Sequence, residues 1–244
     1  MNMKEENINN LTSLWTLVGN AFNANQFVEG FQIVNIPFSE WPNRIWDFRH
    51  TTCNRKETLK EIIRKTNPNM IFSEWKELSE KDQTTVYDMR LKSLQIGMSL
   101  HLEEYNALQI NSQISLVRIE NATDAKLWSH LFQQSFGYFI SEMIIDKIKD
   151  QVAFYNIRYD NDFAGTVAIY ELDNSIGVHS LGILEQFRKK GIAEIVMKMI
   201  LSDAQKGGFD CVHLQSSSMG LSVYKKLGFE EIFKMYNYVL NDSL

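Results

Sequence analysis

Cysteine and proline are scarce: Cys53 and Cys211 are the only thiols among 244 residues, and there are three prolines. Two cysteines are too few for a disulfide framework or a zinc ribbon, and fit a reducing, cytoplasmic setting with two ordinary thiols. With 12 glycines as well, the chain is neither collagenous nor low-complexity. Long apolar runs are missing: the best candidate, GIAEIVMKMIL, is interrupted by charge and falls short of the ~18 residues a membrane span needs. The opening MNMKEENINN is polar and acidic, unlike the basic start and apolar stretch of a secretory signal, so a soluble intracellular protein is expected. A net charge of -5 gives no overall attraction to nucleic acid or to an anionic membrane. His50 and Cys53 lie three apart, but no second pair follows at metal-ligand spacing, so no metal site is expected. Neither a Gly-x-Ser-x-Gly elbow nor a Walker-type phosphate loop occurs.

What is present is an ordinary globular balance, 44% hydrophobic and 23% charged. At about 150 residues per domain this allows one large or two small domains. The polar stretch NALQINSQ (106–113) separates two apolar-patterned regions, giving an expected division into 1–112 and 113–244. In the second region ISLVRIE (114–120) reads as a strand, and Thr123 or Asp124 can cap a helix carrying Leu127, Leu131 and Phe132. A short helix follows near Ser141–Lys149. QVAFYNIRY and AGTVAIYEL flank an Asp-Asn-Asp turn as a hairpin, and DNS (173–175) turns the chain into IGVHSLGI (176–183). A helix from Ile192 to about Lys206, the strand FDCVHLQ, a short helix in MGLSVYKKLG and the strand EEIFKMYNYVL complete the order β-α-α-β-β-β-α-β-α-β. The first region is mixed α/β, with helix-like LTSLWTLVGNAF and KETLKEIIRKT. EGFQIVNI, NRIWDF, MIFSEW and LKSLQIGMSLHL are its strand candidates.

One segment carries chemistry. In ILEQFRKKGIA (183–193) a strand ends, three cations follow, and a small-residue turn opens a helix. A helix N-terminus presents unpaired N–H groups and the positive end of its dipole, a site for an anion such as a pyrophosphate. Gly191 and Ala193 let a phosphate approach the backbone, while Arg188, Lys189 and Lys190 add charge around it. About thirty residues on, YKKLGF (224–229) stands between a strand-plus-helix and the last strand.

Arg-x-x-Gly-x-Ala after a strand, followed at this spacing by Tyr-x-x-Leu-Gly-Phe, resembles the GCN5-related N-acetyltransferase (GNAT) family over residues 114–240. The resemblance implies an α/β fold with a mixed sheet whose fourth and fifth strands splay apart to hold acetyl-CoA. The amides of residues 188–193, Ile192 among them, would take the pyrophosphate. Leu181 to Ile183 would pair with the pantetheine arm and place an N–H on the thioester carbonyl, an oxyanion donor. Tyr224 matches the tyrosine that protonates the leaving thiolate, and a phenol of pKa about 10 can protonate a thiolate of about 8.5. Two positions depart from the family pattern: Glu185 stands where many members have proline, and Ser217 where many have an asparagine that binds the CoA arm. Ser217 and its two serine neighbours offer a hydroxyl instead.

An amine nucleophile near pKa 10 must lose a proton. His179 and Glu171 are the candidate bases, with His213 behind them. WPNRIW (41–46) is aromatic-rich and fits either a pocket lining or a strand edge that packs its indoles on the core, and it is similar to a segment ahead of the catalytic domain in tandem members of the family. There the first half is a partial copy of the fold. Nothing in residues 1–112 repeats Arg-x-x-Gly-x-Gly/Ala, so this half is expected to complete the sheet or wall the acceptor site without binding CoA. The expected activity is direct acetyl transfer from acetyl-CoA to a primary amine on a small molecule or peptide. A non-catalytic acyl-CoA sensor is the alternative. A polyamine or aminoglycoside acceptor would call for an acidic pocket. Neither the acceptor nor the oligomeric state follows from these residues.

Overall fold

The computed structural model describes residues 2–47, 55–82, 85–86, 88–105 and 113–241. His50, Cys53 and residues 106–112 of the expected junction lie outside them.

Helix α1 (Met3–Ala21) begins eight residues before the apolar pattern, because Asn2 and Glu5 close a capping box around its first turn. Strands β1 (Asn25–Val28), which the sequence pattern did not reveal, β2 (Phe31–Val34) and β3 (Arg44–Asp47) form an antiparallel meander. Helix α2 (Lys56–Thr66) then crosses to β4 (Ile71–Lys76), which runs parallel to β3 over Arg44–Trp46 and Ile71–Ser73. WPNRIW thus supplies an interior strand. A two-residue strand β5 (Thr85–Val86) pairs with β6 (Met89–His101).

After β7 (Ile114–Arg118) come α3 (Ala122–Phe136) and α4 (Glu142–Ile148). The cap of α3 is Asn121, whose side chain accepts from the Thr123 and Asp124 N–H groups, so those two residues are the capped rather than the capping ones. Strands β8 (Ala153–Tyr159), β9 (Asp162–Leu172) and β10 (Ser175–Ile183) form a second antiparallel meander. Helix α5 (Ile192–Lys206) crosses to β11 (Cys211–Ser216), parallel to β10 over Ser175–Gly177 and Cys211–His213. Helix α6 (Leu221–Lys226) and β12 (Glu230–Leu240) end the fold.

The strand order, β1-β2-β3-β4-β12-β6-β11-β10-β9-β8-β7, has an approximate two-fold about its centre. Each half is a three-stranded meander, a crossover helix and a strand held parallel over three residue pairs. Each half then lends its last strand to the other: β6 pairs with β11, β12 pairs with β4, and β6 and β12 pair with each other. One hydrogen-bonded sheet therefore runs through both regions of the chain.

The largest apolar cluster, with Leu14, Trp15, Trp75, Trp128, Phe132 and Phe233, joins α1, α3 and α4 to one face of this sheet. A second, with Val178, Val196, Met197 and Val212, seats α5 on the opposite face.

Candidate functional site

The site begins where β10 and β11 part. Their pairing stops at Gly177 and His213, although β10 continues to Ile183 and β11 to Ser216. A bulge in β10 between His179 and Gly182 turns the end of that strand, with Ser180 in the left-handed region at φ 54. The Thr166 hydroxyl holds that turn by donating to the Ser180 carbonyl at 3.0 Å. Leu181 and Ile183 are half-buried on the edge facing the gap.

Beyond β10 the loop tightens into α5. Lys189 (φ 63) and Gly191 (φ 75) are both left-handed, and no side chain caps the first turn of α5. The N–H groups of Ile192, Ala193 and Glu194 therefore have no intrahelical acceptor. Left-handed residues alternating with ordinary ones turn successive N–H groups toward one point, a concavity suited to an anion. A Cβ placed on Gly191 would meet no protein atom within 4 Å, so the backbone there is open to approach.

The three cations diverge. Arg188 donates from Nε to the Ile183 carbonyl (3.0 Å) and from a terminal nitrogen to the Ser135 carbonyl (3.3 Å), so it holds the loop against β10 and α3. The Lys190 ammonium lies over the Tyr159 and Phe187 rings at 5.2 and 5.3 Å. Lys189 has no partner among the described residues and is left to face an anion.

Tyr224 on α6 stands across the gap, its ring half-buried and edge-on to Phe229 at 5.8 Å. Burial pushes its phenol up to about 12, so it is a protonated donor. Its hydroxyl has no hydrogen-bond partner among the described residues. Glu194 binds Lys198 (2.6 Å) and Lys226 (2.7 Å), tying α6 to the first turn of α5. Exposed Ser217 lies in the turn between β11 and α6, its carbonyl accepting from the Gly220 N–H at 3.1 Å.

The two base candidates are not brought together. In the β9–β10 register His179 is opposite Ala168 and Glu171 opposite Ile176, which puts their side chains on opposite faces of the sheet. Glu171 also sits at the start of β10, away from the gap, so the structure removes it from the site. His179 faces α1, where Asn10 meets it: Asn10 Oδ1 is 3.0 Å from His179 Nε2. Asn10 Nδ2 donates to the Tyr170 carbonyl (3.2 Å), so Oδ1 is the acceptor, His179 carries its proton on Nε2, and Nδ1 keeps the lone pair. Burial, helped by His213, lowers the His179 pKa to about 4, so the ring is neutral.

His213 is fully buried under the same helix. Its Nδ1 lies 2.8 Å from the Ser99 hydroxyl, and Asn7 Nδ2 donates to that hydroxyl at 3.1 Å. Burial lowers its pKa to about 4 as well. Asn7 and Asn10 were not singled out from the sequence. The available signal was their spacing, which puts two amides on the face of α1 that carries Leu11, Leu14 and Val18. Cys211 is buried, its thiol raised to about 11 by burial and held 3.1 Å from His101 Nδ1. No group of three or more potential metal ligands occurs among the described residues, and no helix there is long and apolar enough to cross a membrane.

Residues 115–229 match the acetyltransferase (GNAT) family. A GCN5-related N-acetyltransferase from Kribbella flavida superposes with a TM-score of 0.66 over 95% of both chains at 14% identity. A GNAT-family acetyltransferase from Novosphingobium aromaticivorans superposes at 0.59 over 93% of this chain and 95% of its own, at 11% identity. One from Sphaerobacter thermophilus does so at 0.60 over 86% and 76%, at 11% identity. At such identities the likeness is one of fold, and it takes in both halves. No curated protein matches the sequence. The splayed strands, the uncapped helix and the matched family model agree: residues 115–229 are a GNAT-family domain, built into a mixed sheet to which strands of the first half contribute.

Proposed function

We propose that the chain moves an acetyl group from acetyl-CoA to an amine by direct transfer. One observation carries the reading. The uncapped amides of α5 and an unpartnered, protonated phenol on α6 flank the same opening between β10 and β11.

Bound there, acetyl-CoA supplies the activated acyl group. The N–H groups of Ile192 and Ala193 would hold its diphosphate, with Lys189 adding charge, while Arg188 and Lys190 keep the loop in shape. The free edge of β10 around Leu181 and Ile183 would pair with the pantetheine amides as an added strand, and Ser217 stands where the arm enters. Tyr224 gives its proton to the departing thiolate. Its raised pKa keeps the phenol protonated until the thiolate departs. His179 accepts the amine proton at Nδ1, oriented by Asn10. Glu171 is on the other face, and His213 is sealed beneath α1.

Calorimetric titration with acetyl-CoA, with CoA and acetate as controls, tests the cofactor. One site per chain is expected, and no binding at millimolar acetyl-CoA would sink the reading. Thioester cleavage dependent on an added amine tests the chemistry. Tight binding without turnover of any amine would leave a sensor in place of an enzyme.

A further inference from the structure

The outward face of α1 is the floor of a groove of about 380 Å³ whose walls come from both halves of the sheet. Gln32 of β2 and Trp46 of β3 form one wall and Tyr170 of β9 the other. The floor carries Asn9, Thr12, Ser13 and Thr16. An outward helix face is usually charged, yet no Asp, Glu, Lys or Arg occurs from Asn7 to Val28. Thr12, Ser13 and Thr16 are half-buried, as a groove floor would be.

The hydrogen-bonding groups of this floor are all uncharged. Thr12 spends its proton on the Ile8 carbonyl (2.9 Å) and Ser13 on Asn9 Oδ1 (3.3 Å), so both present oxygen lone pairs. Gln32 Nε2 donates to Asn25 Oδ1 and to the Gln26 carbonyl, which leaves Gln32 Oε1 as an acceptor. Asn9 and Asn20 accept at Oδ1 from Ser13 and Asn25, which leaves their Nδ2 groups as donors, so the groove offers neutral acceptors and donors side by side and has no carboxylate among its lining residues. A polycation entering it would be desolvated with only exposed Asp173, which acts on Tyr170, as a counter-charge, whereas hydroxyl groups, each both donor and acceptor, would find partners of both kinds. The groove also leads to the reaction centre. Tyr170 is register partner to Gly177, two residues from His179 on the same face, and its carbonyl holds Asn10 against His179.

We infer that this groove seats the acceptor, and that the acceptor is an uncharged-framed, polyhydroxylated molecule bearing a single amine, of the amino-sugar class, rather than a polyamine or a basic peptide. Its role as acceptor site rests on the acetyl-transfer reading; its ligand chemistry does not.

Glucosamine and spermidine, each with acetyl-CoA, are the probes, with Ser13→Leu and Thr16→Leu as two independent ways of filling the groove. Glucosamine should be acetylated with a kcat/KM at least about tenfold above that of spermidine. Both variants should raise its KM about tenfold, which corresponds to about 1.4 kcal/mol, at unchanged acetyl-CoA affinity. Preference for spermidine, or indifference of KM to both substitutions, overturns the inference. If acetyl-CoA binds but no amine is turned over, the acetyl-transfer reading fails and direct titration with glucosamine decides the groove. Binding lost in Ser13→Leu upholds the ligand class, and no binding at millimolar glucosamine sinks it.

Discussion

Tyr224 and Gly177 show how much of the site depends on single atoms. Replacing Tyr224 by Phe removes one hydroxyl from a ring already seated against Phe229, so the fold should be indifferent. Turnover should fall by about 10²-fold or more while acetyl-CoA affinity stays within about twofold, read from steady-state rates beside calorimetry. Gly177 lies beneath the Asn10–His179 contact, and a Cβ there would overlap both Asn10 Oδ1 and His179 Nε2. Gly177→Ala should therefore cost about 1–3 kcal/mol in urea unfolding and disturb the orientation of His179.

The two buried histidines set a direction with pH. His179 and His213 titrate near 4 in the folded chain against about 6.5 unfolded, so between those values the unfolded state binds more protons. Their contribution to stability is complete above about pH 6.5 and is lost as pH falls toward 4. The urea midpoint should drop over that window, and less steeply in His213→Asn. For the same reason the acid limb of kcat/KM should show no inflection near 6.5. A clear one there would remove His179 as the base.

At the scale of elements, the opening of α5 is the feature most open to test. Gly191 is left-handed with free space around its missing Cβ, so Gly191→Val meets no steric wall in the protein and loses about 1–2 kcal/mol from backbone conformation alone. Any fall in acetyl-CoA affinity beyond that amount measures the approach of the ligand itself. This segment was legible from sequence because a strand end, three cations, a glycine and a helix are local signals. The second half read well throughout: its turns carry Asp, Asn and Gly, and its helices have clear apolar stripes. Even the fate of Glu171 was within reach, since the DNS turn fixes the β9–β10 register and alternation along the strands separates it from His179. Three of the first half's strands have only four residues, too few for a period to declare itself, and β1 was missed for that reason. The depth of α1 was hidden as well. Its buried Asn7 and Asn10 find their partners 91 to 208 residues away, in contacts no local pattern records.

The placement of β6 is illegible for the same reason and matters most to the molecule as a whole. It separates β11 from β12, which would otherwise be neighbours in the second half. Residues 113–244 expressed alone should therefore expose unpaired strand edges and aggregate, and co-expression of 1–112 should return them to the soluble fraction. Intact protein should melt in a single calorimetric transition, because the β6–β12 pair belongs to both halves. Two well-separated transitions would show that the halves are energetically independent.

The exchanged strands also bear on heredity. A first half without the glycine-bearing phosphate loop looks dispensable, yet deleting it would take β6 out of the sheet beside the cleft. Loss of the whole half is therefore closed to selection, while its loops stay free to vary. Under the proposed reading, substitutions on the groove face of α1 and at its wall residues Gln32 and Trp46 would change the acceptor without touching the opening of α5.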